Sequence, residues 1–557
     1  MKRLLMNPSK HCDQLPFKNR SCEIRSTSRI FGFLRTGTML AILAICGMAD
    51  AGETSSKLLG KIDFPNSGSA EAQPAFIEGV LYLHNFEYEQ AAEAFRRAQE
   101  ADPDFALAYW GETMTHHQSI WEKQEQDEGQ VVLRRLSPTP EARAAMAPTP
   151  REKAYLGAVE ILFGTVEESK GKTRLEREFL YREAMRRLHE AYPEDHEAAS
   201  FYALSILGAG KTSRNFATYM RAAAIAMEVW DVNRLHPGAV HYLIHSFDDT
   251  AHAPLGLPMA LAYSKIAPAA AHAQHMTSHI FLALGMWSDV VTANETAFEI
   301  EVKGTNEWSR EASHYVHWLH YGYLQQGRYQ QAQDLLETAL RRLNKDTPAR
   351  ERGYYGTLYA QHLVESDAWD SAERWAAPEE VDIPSSNYHF AWALEAINRG
   401  DLDAARERAL LVQAGGAGNP GIIMKESVAS VLRLELEAKF ALAAGDHTKA
   451  VALLREAAAR EGAMPPTFGP PSVVKPAAEL LADVLLELGR PDEAMAAYTD
   501  QLARTPRRVA TLLGLVRSAR ASNDTKASAE ILRELAEIWR SADENVRERL
   551  ASQDNGD

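Results

Sequence analysis

Cysteine is almost missing from this chain. Three occur in 557 residues, Cys12, Cys22 and Cys46, and every one precedes residue 47. The long remainder therefore has no thiol, which excludes disulfides, thiolate metal sites and cysteine nucleophiles from it. A basic stripe is also lacking. The formal net charge is −16, and short runs such as Arg134–Arg135 and Arg341–Arg342 read as solvated helix faces, so nucleic acid is not an expected partner. No sustained two-residue alternation marks strands. Nucleotide motifs fail as well. Gly171-Lys172-Thr173 and Gly210-Lys211-Thr212 would need an earlier glycine where Val166 and Ser205 stand. There is no GxGxxG after a strand and no GxSxG nucleophile elbow. Neither a nucleotide nor a flavin is an expected cofactor. The apolar run from Met39 to Met48 is too short for an ordinary transmembrane helix.

That short run has another reading. Arg29 and Arg35 precede it, and Ala49-Asp50-Ala51 follows with the small-x-small pattern of a signal-peptidase site. Residues 1–51 hold eight Lys/Arg and three Asp/Glu, so their removal takes the charge from −16 to −21. The expectation is an exported protein, periplasmic or secreted. Leu43-Ala44-Ile45-Cys46 echoes a lipid-attachment box, but isoleucine stands where a small residue is wanted, which argues against anchoring. Residues 52–71 are rich in Gly, Ser and Lys and read as a linker.

What is present is helical periodicity. From Gln73 onward apolar residues recur every three or four positions, broken by short turns such as Gln326-Gly327-Arg328, Arg399-Gly400-Asp401 and Leu488-Gly489-Arg490. The helix pairs repeat at about 34 residues. The clearest unit, 72–104, carries Gly79, Tyr82, Ala91, Phe95, Ala98 and Pro103. In this pattern small residues let two helices approach, large ones fill the gap and proline ends the second helix. It resembles the tetratricopeptide repeat, and further units align from near Pro237, Ala271, Ser313, Gly353, Ser386, Val431 and Lys475. The resemblance implies an all-α, right-handed helical solenoid. N-terminal units fill 72–121 and a degenerate helical region 122–235, whose proline-bearing stretch near 122–180 reads as an irregular helical insertion. Histidine-rich units follow at 236–345 and repeat-like units at 346–463. A proline-rich break at 464–476, C-terminal units at 477–545 and a tail at 546–557 complete the chain.

The strongest anomaly is histidine. The chain has 19, so 85 residues should hold about three, yet residues 236–320 hold ten. They fall in stripes: His241 and His245; His272, His275 and His279; His314, His317 and His320. Steps of three and four place each stripe on one helix face. In tetratricopeptide-repeat proteins the second, fifth and ninth positions of a unit line the concave groove. Those positions are His241 and His245, then His272, His275 and His279, then His314 and His317. Neutral imidazole suits Zn, Cu or Fe, and three imidazoles with one open position can acidify a bound water. The expected metal ligands are His241, His245, His272, His275 and His279. A polar groove for an acidic or peptide ligand, and plain core packing, are the competing readings. His241-Tyr-Leu-Ile-His245 lacks the glutamate of HExxH, as does His275-Met-Thr-Ser-His279. The run from His236 through His272-Ala-Gln-His275-Met-Thr-Ser-His279-Ile-Phe resembles a group of bacterial repeat proteins whose segment reads close to HAxHMPSHIF. Thr277 stands at their proline position, which relaxes the helix start expected there.

Further candidates for the same groove are His116, His117, Trp110, Glu112, Asp248 and Asp249, with His314 and His317. One of the two aspartates is expected to orient a histidine, ligate metal or act as a base, and at least one to be a turn or cap residue. Glu295 and Glu311 are weaker candidates. Tyr242, Tyr315, Trp318 and Tyr321 add aromatic surface, two of them expected in the core. Two functions stay open at this point: a metalloprotein with hydrolytic or oxidative chemistry, or a scaffold that takes a peptide or partner protein in its groove.

Overall fold

The computed structural model describes residues 58–209, 215–303, 308–413, 422–466 and 468–554. The expected signal segment with its three cysteines, and Gly210-Lys211-Thr212, lie outside them. The described chain is helical nearly throughout. The exception among the described residues is a two-residue hairpin, His117–Gln118 paired antiparallel with Lys123–Gln124.

The repeat physics is visible in the first pair, Gln73–His84 and Tyr88–Ala101. Phe95 is fully buried between two glycines. A Cβ on Gly79 would stand 2.8 Å from its ring, and one on Gly111, in the next helix, 2.3 Å. One ring thus fills the gap within its own pair and the gap to the following one, a burial that contributes roughly 1.5–3 kcal/mol. The same device recurs at the far end, where Gly514 abuts the Tyr498 ring. Most helices pack on their successors, and in most neighbouring pairs the first helices also meet. The histidine-rich units begin at Pro237, Ala271 and Arg310. Later units begin at Ala349, Ser386, Ile422 and Ala477. The insertion carries helices of its own at Gln126–Leu136, Pro140–Met146 and Pro150–Leu162. Its prolines start helices: Pro140 and Pro150 occupy first turns, with the Thr139 and Thr149 hydroxyls capping behind them.

Two segments pack more tightly than their composition suggests. Leu59 and Phe64, in the stretch read as a linker, are buried, as are Val546 and Leu550 in the stretch read as a tail. The helix Ala271–Ala283 starts six residues before Thr277, whose hydroxyl donates to the Gln274 carbonyl at 2.8 Å. Thr277 is therefore a mid-helix residue, and the expected relaxed start at that position is not seen.

A simple repeat stack touches only its neighbours. This one also folds back. Trp287 Nε1 donates to the Arg507 carbonyl at 2.9 Å. The Val509 N–H meets Gln325 Oε1 at 2.9 Å, and the Asp543 N–H meets the Gly327 carbonyl at 3.0 Å. Gly285 has φ +66°, and a Cβ there would stand 2.6 Å from the Pro506 carbonyl oxygen. At the centre of this closure Arg508 is fully buried. It forks onto Glu479 at 2.8 and 3.2 Å, donates to the Tyr321 hydroxyl at 2.9 Å and pairs with Glu365. Nearby, Gly469 lies flat on Trp318, and Asn387 Nδ2 donates to the Ser472 carbonyl at 2.9 Å. The proline-rich segment is thereby held across the histidine-rich units. Replacing Arg508 with methionine leaves Glu365 buried without its cation and Glu479 with Lys475 alone. Loss of one partner of such a pair costs about 3–5 kcal/mol, so R508M should melt well below the parent in thermal denaturation followed by circular dichroism. An unchanged melting temperature would show that the closure does not depend on this contact.

Candidate metal centre

Three helices supply the imidazoles: Pro237–Phe247, Ala271–Ala283 and Arg310–Gln325. Histidines four apart on one helix share a face, and one histidine from the following unit joins them. The result is two groups of the same design. His241 and His245 meet His272, and His275 and His279 meet His314. Within each group one ligand atom from every residue lies within 4.8 Å of the others. Five of the six are more than nine-tenths buried, and His314 is half-buried.

The hydrogen bonds fix where the protons are. His275 Nδ1 is 2.7 Å from Asn294 Oδ1, and Asn294 spends its own amide hydrogen on the Val290 carbonyl at 2.8 Å. His279 Nδ1 is 2.6 Å from Asp248 Oδ2. Each Nδ1 faces an acceptor, so each carries the hydrogen, and each Nε2 is left with a bare lone pair. Those two bare nitrogens stand 3.2 Å apart, and His314 Nε2 stands 3.0 Å from His275 Nε2. A small cation placed among the three nitrogens would meet these lone pairs. A proton is disfavoured, because burial, with His314 and His279 adding to it, holds His275 well below the ordinary histidine range. A tetrahedral ion with bonds of 2.0–2.1 Å would set its nitrogens roughly 3.3 Å apart. Trp318, Tyr315 and Asn294 wall this group: Trp318 lies 4.3 Å from the His279 ring and Tyr315 4.9 Å from that of His275.

The other group follows the same logic. His241 Nδ1 is 2.7 Å from the His84 carbonyl, so its Nε2 is the bare nitrogen. That atom and His272 Nε2 are buried without a hydrogen-bond partner. Burial lowers His241 to about 3 and holds His272 well down. Phe86, whose φ is +59°, sets its ring 4.3 Å from His241 and 5.5 Å from His272. A cleft of about 480 Å³ opens onto both groups, lined by His272 and His314 with Glu87, Trp121, Arg310 and Arg350. Burial pushes the Glu87 carboxyl up to about 7, and its Oε1 accepts the His272 N–H at 3.1 Å.

A third cluster, His84, Glu197 and His236, has similar composition and different chemistry. His84 Nε2 and His236 Nε2 donate to the two Glu197 oxygens at 2.6 and 3.0 Å. Their other nitrogens accept from the Tyr242 hydroxyl and the Ala239 N–H. Burial works against the Glu197 charge, but His236 and His84 outweigh it and hold the carboxyl well below the usual range. Every donor and acceptor is used, so this is a closed hydrogen-bond network that caps one helix.

Other expected site residues are placed elsewhere, and some expectations are corrected. The expected concave groove is largely closed: His241, His245, His272, His275 and His279 are buried, while His314 and His317 are half-buried. Trp110 is fully buried against Phe64, Tyr155 and Phe201, so it is a core residue and not a groove residue. Glu112 is taken by Gln99, Arg135 and Arg96. His116 pairs with Glu125 at 3.0 Å and His117 faces Glu178 at 3.8 Å; neither reaches the histidine groups. His317 sits beside Gln361. His320 sits beside His362. Asp248 orients His279, while Asp249 is a turn residue, accepting from the Ala251 and His252 N–H groups at 3.0 Å. Glu295 pairs with Tyr323 and Arg328, and Glu311 lines the cleft. Tyr242, Tyr315, Trp318 and Tyr321 are all buried. His84, Glu197 and Asn294 were missed. A polar residue on an apolar stripe was their signal, as at Val290, Val291, Asn294 and Ala297.

An all-helical repeat protein with a buried imidazole cluster is the class these observations define. Residues 74–105 match the tetratricopeptide-repeat family model, and the helix pairs that follow continue as a helical solenoid of that kind. No curated protein matches it. Similar solved structures include the APC/C hetero-tetramer Cut9–Hcn1, at 12% identity over 84% of this chain and 81% of that one, TM-score 0.34. Human IFIT1 as a dimer with m7Gppp-AAAA is 13% identical over 89% and 96%, TM-score 0.34. Yeast Tom70 is 12% identical over 87% and 95%, TM-score 0.27. No helix among the described residues is long and apolar enough to cross a membrane.

The closed network gives a control. Glu197→Leu leaves two buried N–H groups without acceptors, at a cost on the order of 1–3 kcal/mol each. The variant should lose thermal stability but bind transition metal with the parent stoichiometry. Loss of metal together with stability would place Glu197 among the ligands.

Proposed function

We propose that this repeat protein is exported and holds a transition-metal ion, Zn, Cu or Fe, at His275, His279 and His314. One observation carries the reading: two buried imidazoles, each with its Nδ1 hydrogen bonded to an acceptor, face each other through their Nε2 atoms at 3.2 Å. Asp248 and Asn294 are the outer partners that such ligands require for a fixed tautomer and orientation. Three neutral nitrogens leave a fourth position for water, and the ion would lower that water's pKa toward neutrality. The cleft beside His314 gives a substrate access to it. The class of chemistry this supports is hydrolytic or oxidative. At the coarser level the tetratricopeptide repeat supports a protein-interaction scaffold, and a partner docked on the outer helices is compatible with an ion held inside.

The test is elemental analysis of the purified full chain, before and after loading with Zn²⁺, Cu²⁺ or Fe²⁺ and desalting. At least one ion per chain should be retained, and it should raise the melting temperature. The double variant His275→Ala/His279→Ala should lose that ion. Asp248→Asn should weaken binding about 10–100-fold while leaving helical content unchanged. Absence of retained metal, with no thermal shift from any of the three ions, would remove the reading.

A further inference from the structure

The second trihistidine group calls for its own account. His241, His245 and His272 repeat the design of the first group one unit earlier: two imidazoles four apart on one helix, a third from the next. The His84 carbonyl does for His241 what Asn294 does for His275, taking the Nδ1 hydrogen and leaving Nε2 bare. His241 Nε2 and His272 Nε2 are buried polar atoms with no hydrogen-bond partner. Such atoms are costly in a protein interior unless something meets their lone pairs. In the closed His84–Glu197–His236 network, by contrast, every ring nitrogen has a partner.

The two groups are also in contact. The His272 and His275 ring centres are 6.0 Å apart, those of His245 and His279 are 6.1 Å apart, and one helix supplies ligands to both sides. His272 from one group and His314 from the other line the same cleft. Arg310 and Arg350 stand at that cleft, and among the described residues Arg350 meets no carboxylate within 4.0 Å; its hydrogen bond is to the Tyr354 hydroxyl at 3.2 Å.

We propose that the chain carries a two-ion centre, with one transition-metal ion at His275, His279 and His314 and a second at His241, His245 and His272, side by side and opening on one cleft. The inference rests on the single-ion reading above and extends it. Two adjacent ions of this kind stabilise both the attacking and the leaving oxygen of a displacement, or share a small oxygen ligand between them. Arg310 is paired with Glu311, and Arg350 favours an anionic oxygen ligand in that position.

Copper(II) is the probe, because it reports stoichiometry and proximity together. The full chain is stripped with chelator, loaded with excess Cu²⁺ and desalted, then measured by elemental analysis and electron paramagnetic resonance. Two ions per chain are expected, with spin–spin broadening or loss of signal relative to either single-site variant. His272→Gln should retain one ion with an unbroadened spectrum, and His314→Gln should do the same from the other side. His241→Gln is the reserve variant should His272→Gln lose its helical signal. One ion in the parent chain overturns this proposal and leaves the single-ion reading standing. Two ions without spin–spin interaction overturn the pairing, and two ions persisting in His272→Gln and His241→Gln overturn the assignment of ligands. No ion in the parent overturns both readings.

Discussion

A neutral imidazole in a water-poor interior has one hydrogen and one lone pair to place, and the centre of this protein is arranged around that constraint. Asn294, Asp248 and the His84 carbonyl each take an Nδ1 hydrogen. None of the three is interchangeable with a generic polar group. Asn294 can act as an acceptor because its amide is turned by the Val290 carbonyl, and Asp248 can because it ends the helix Pro237–Phe247, two helices before the one carrying His279. The outcome is a set of lone pairs directed at one another. Such lone pairs suit a small cation placed among them.

That arrangement requires burial, and burial requires the chain to depart from an open stack. Helix pairs alone would leave the first helices of three successive units lining an accessible surface. The contacts around Arg508 bring residues near 505–546 back onto residues near 283–330, and the proline-rich segment is laid over Trp318. Glycines at 285 and 469 make the close approaches, with positive φ at both. Desolvation then lowers the proton affinity of His275 and His272. Protonation is thereby disfavoured, while a divalent ion, which binds the neutral form, would meet ligands already in the right state.

Helical periodicity and the register of the histidine stripes were legible in the sequence because both are local. A step of four residues on a helix puts two side chains on one face whatever the rest of the chain does. Which surface that face meets is not local. Trp110 sits at a groove register, but Phe64, from a segment with the composition of a linker, covers it and makes it core. Asp248 and Asp249 are neighbours in sequence with different fates: one points at a helix two elements on, the other folds onto its own turn. His84 reaches Glu197 across 113 positions, and no spacing rule foretells such a pair. Asn294 was the nearest miss, since a lone amide among Val290, Val291 and Ala297 asks for a buried partner.

The distribution of ligands over repeats has a consequence for stability. In a quasi-one-dimensional stack, stability is the sum of what each unit contributes and what each interface between neighbours contributes. Both histidine groups straddle such an interface: one joins the units that begin at Pro237 and Ala271, the other those that begin at Ala271 and Arg310. An ion bound in either group adds its binding free energy to an interface term, because it needs both units in place and has no comparable site in the unfolded chain. The unit at Ala271 is shared, so it is the one that ions on both sides would hold. It also carries the fewest alternatives: His272, His275 and His279 face inward, and Gln274, Thr277 and Ser278 spend their side-chain hydrogens on nearby backbone carbonyls. Met276, Ile280 and Phe281 of the same helix are buried in the core, so packing already centres this unit in the stack and an ion would add to that.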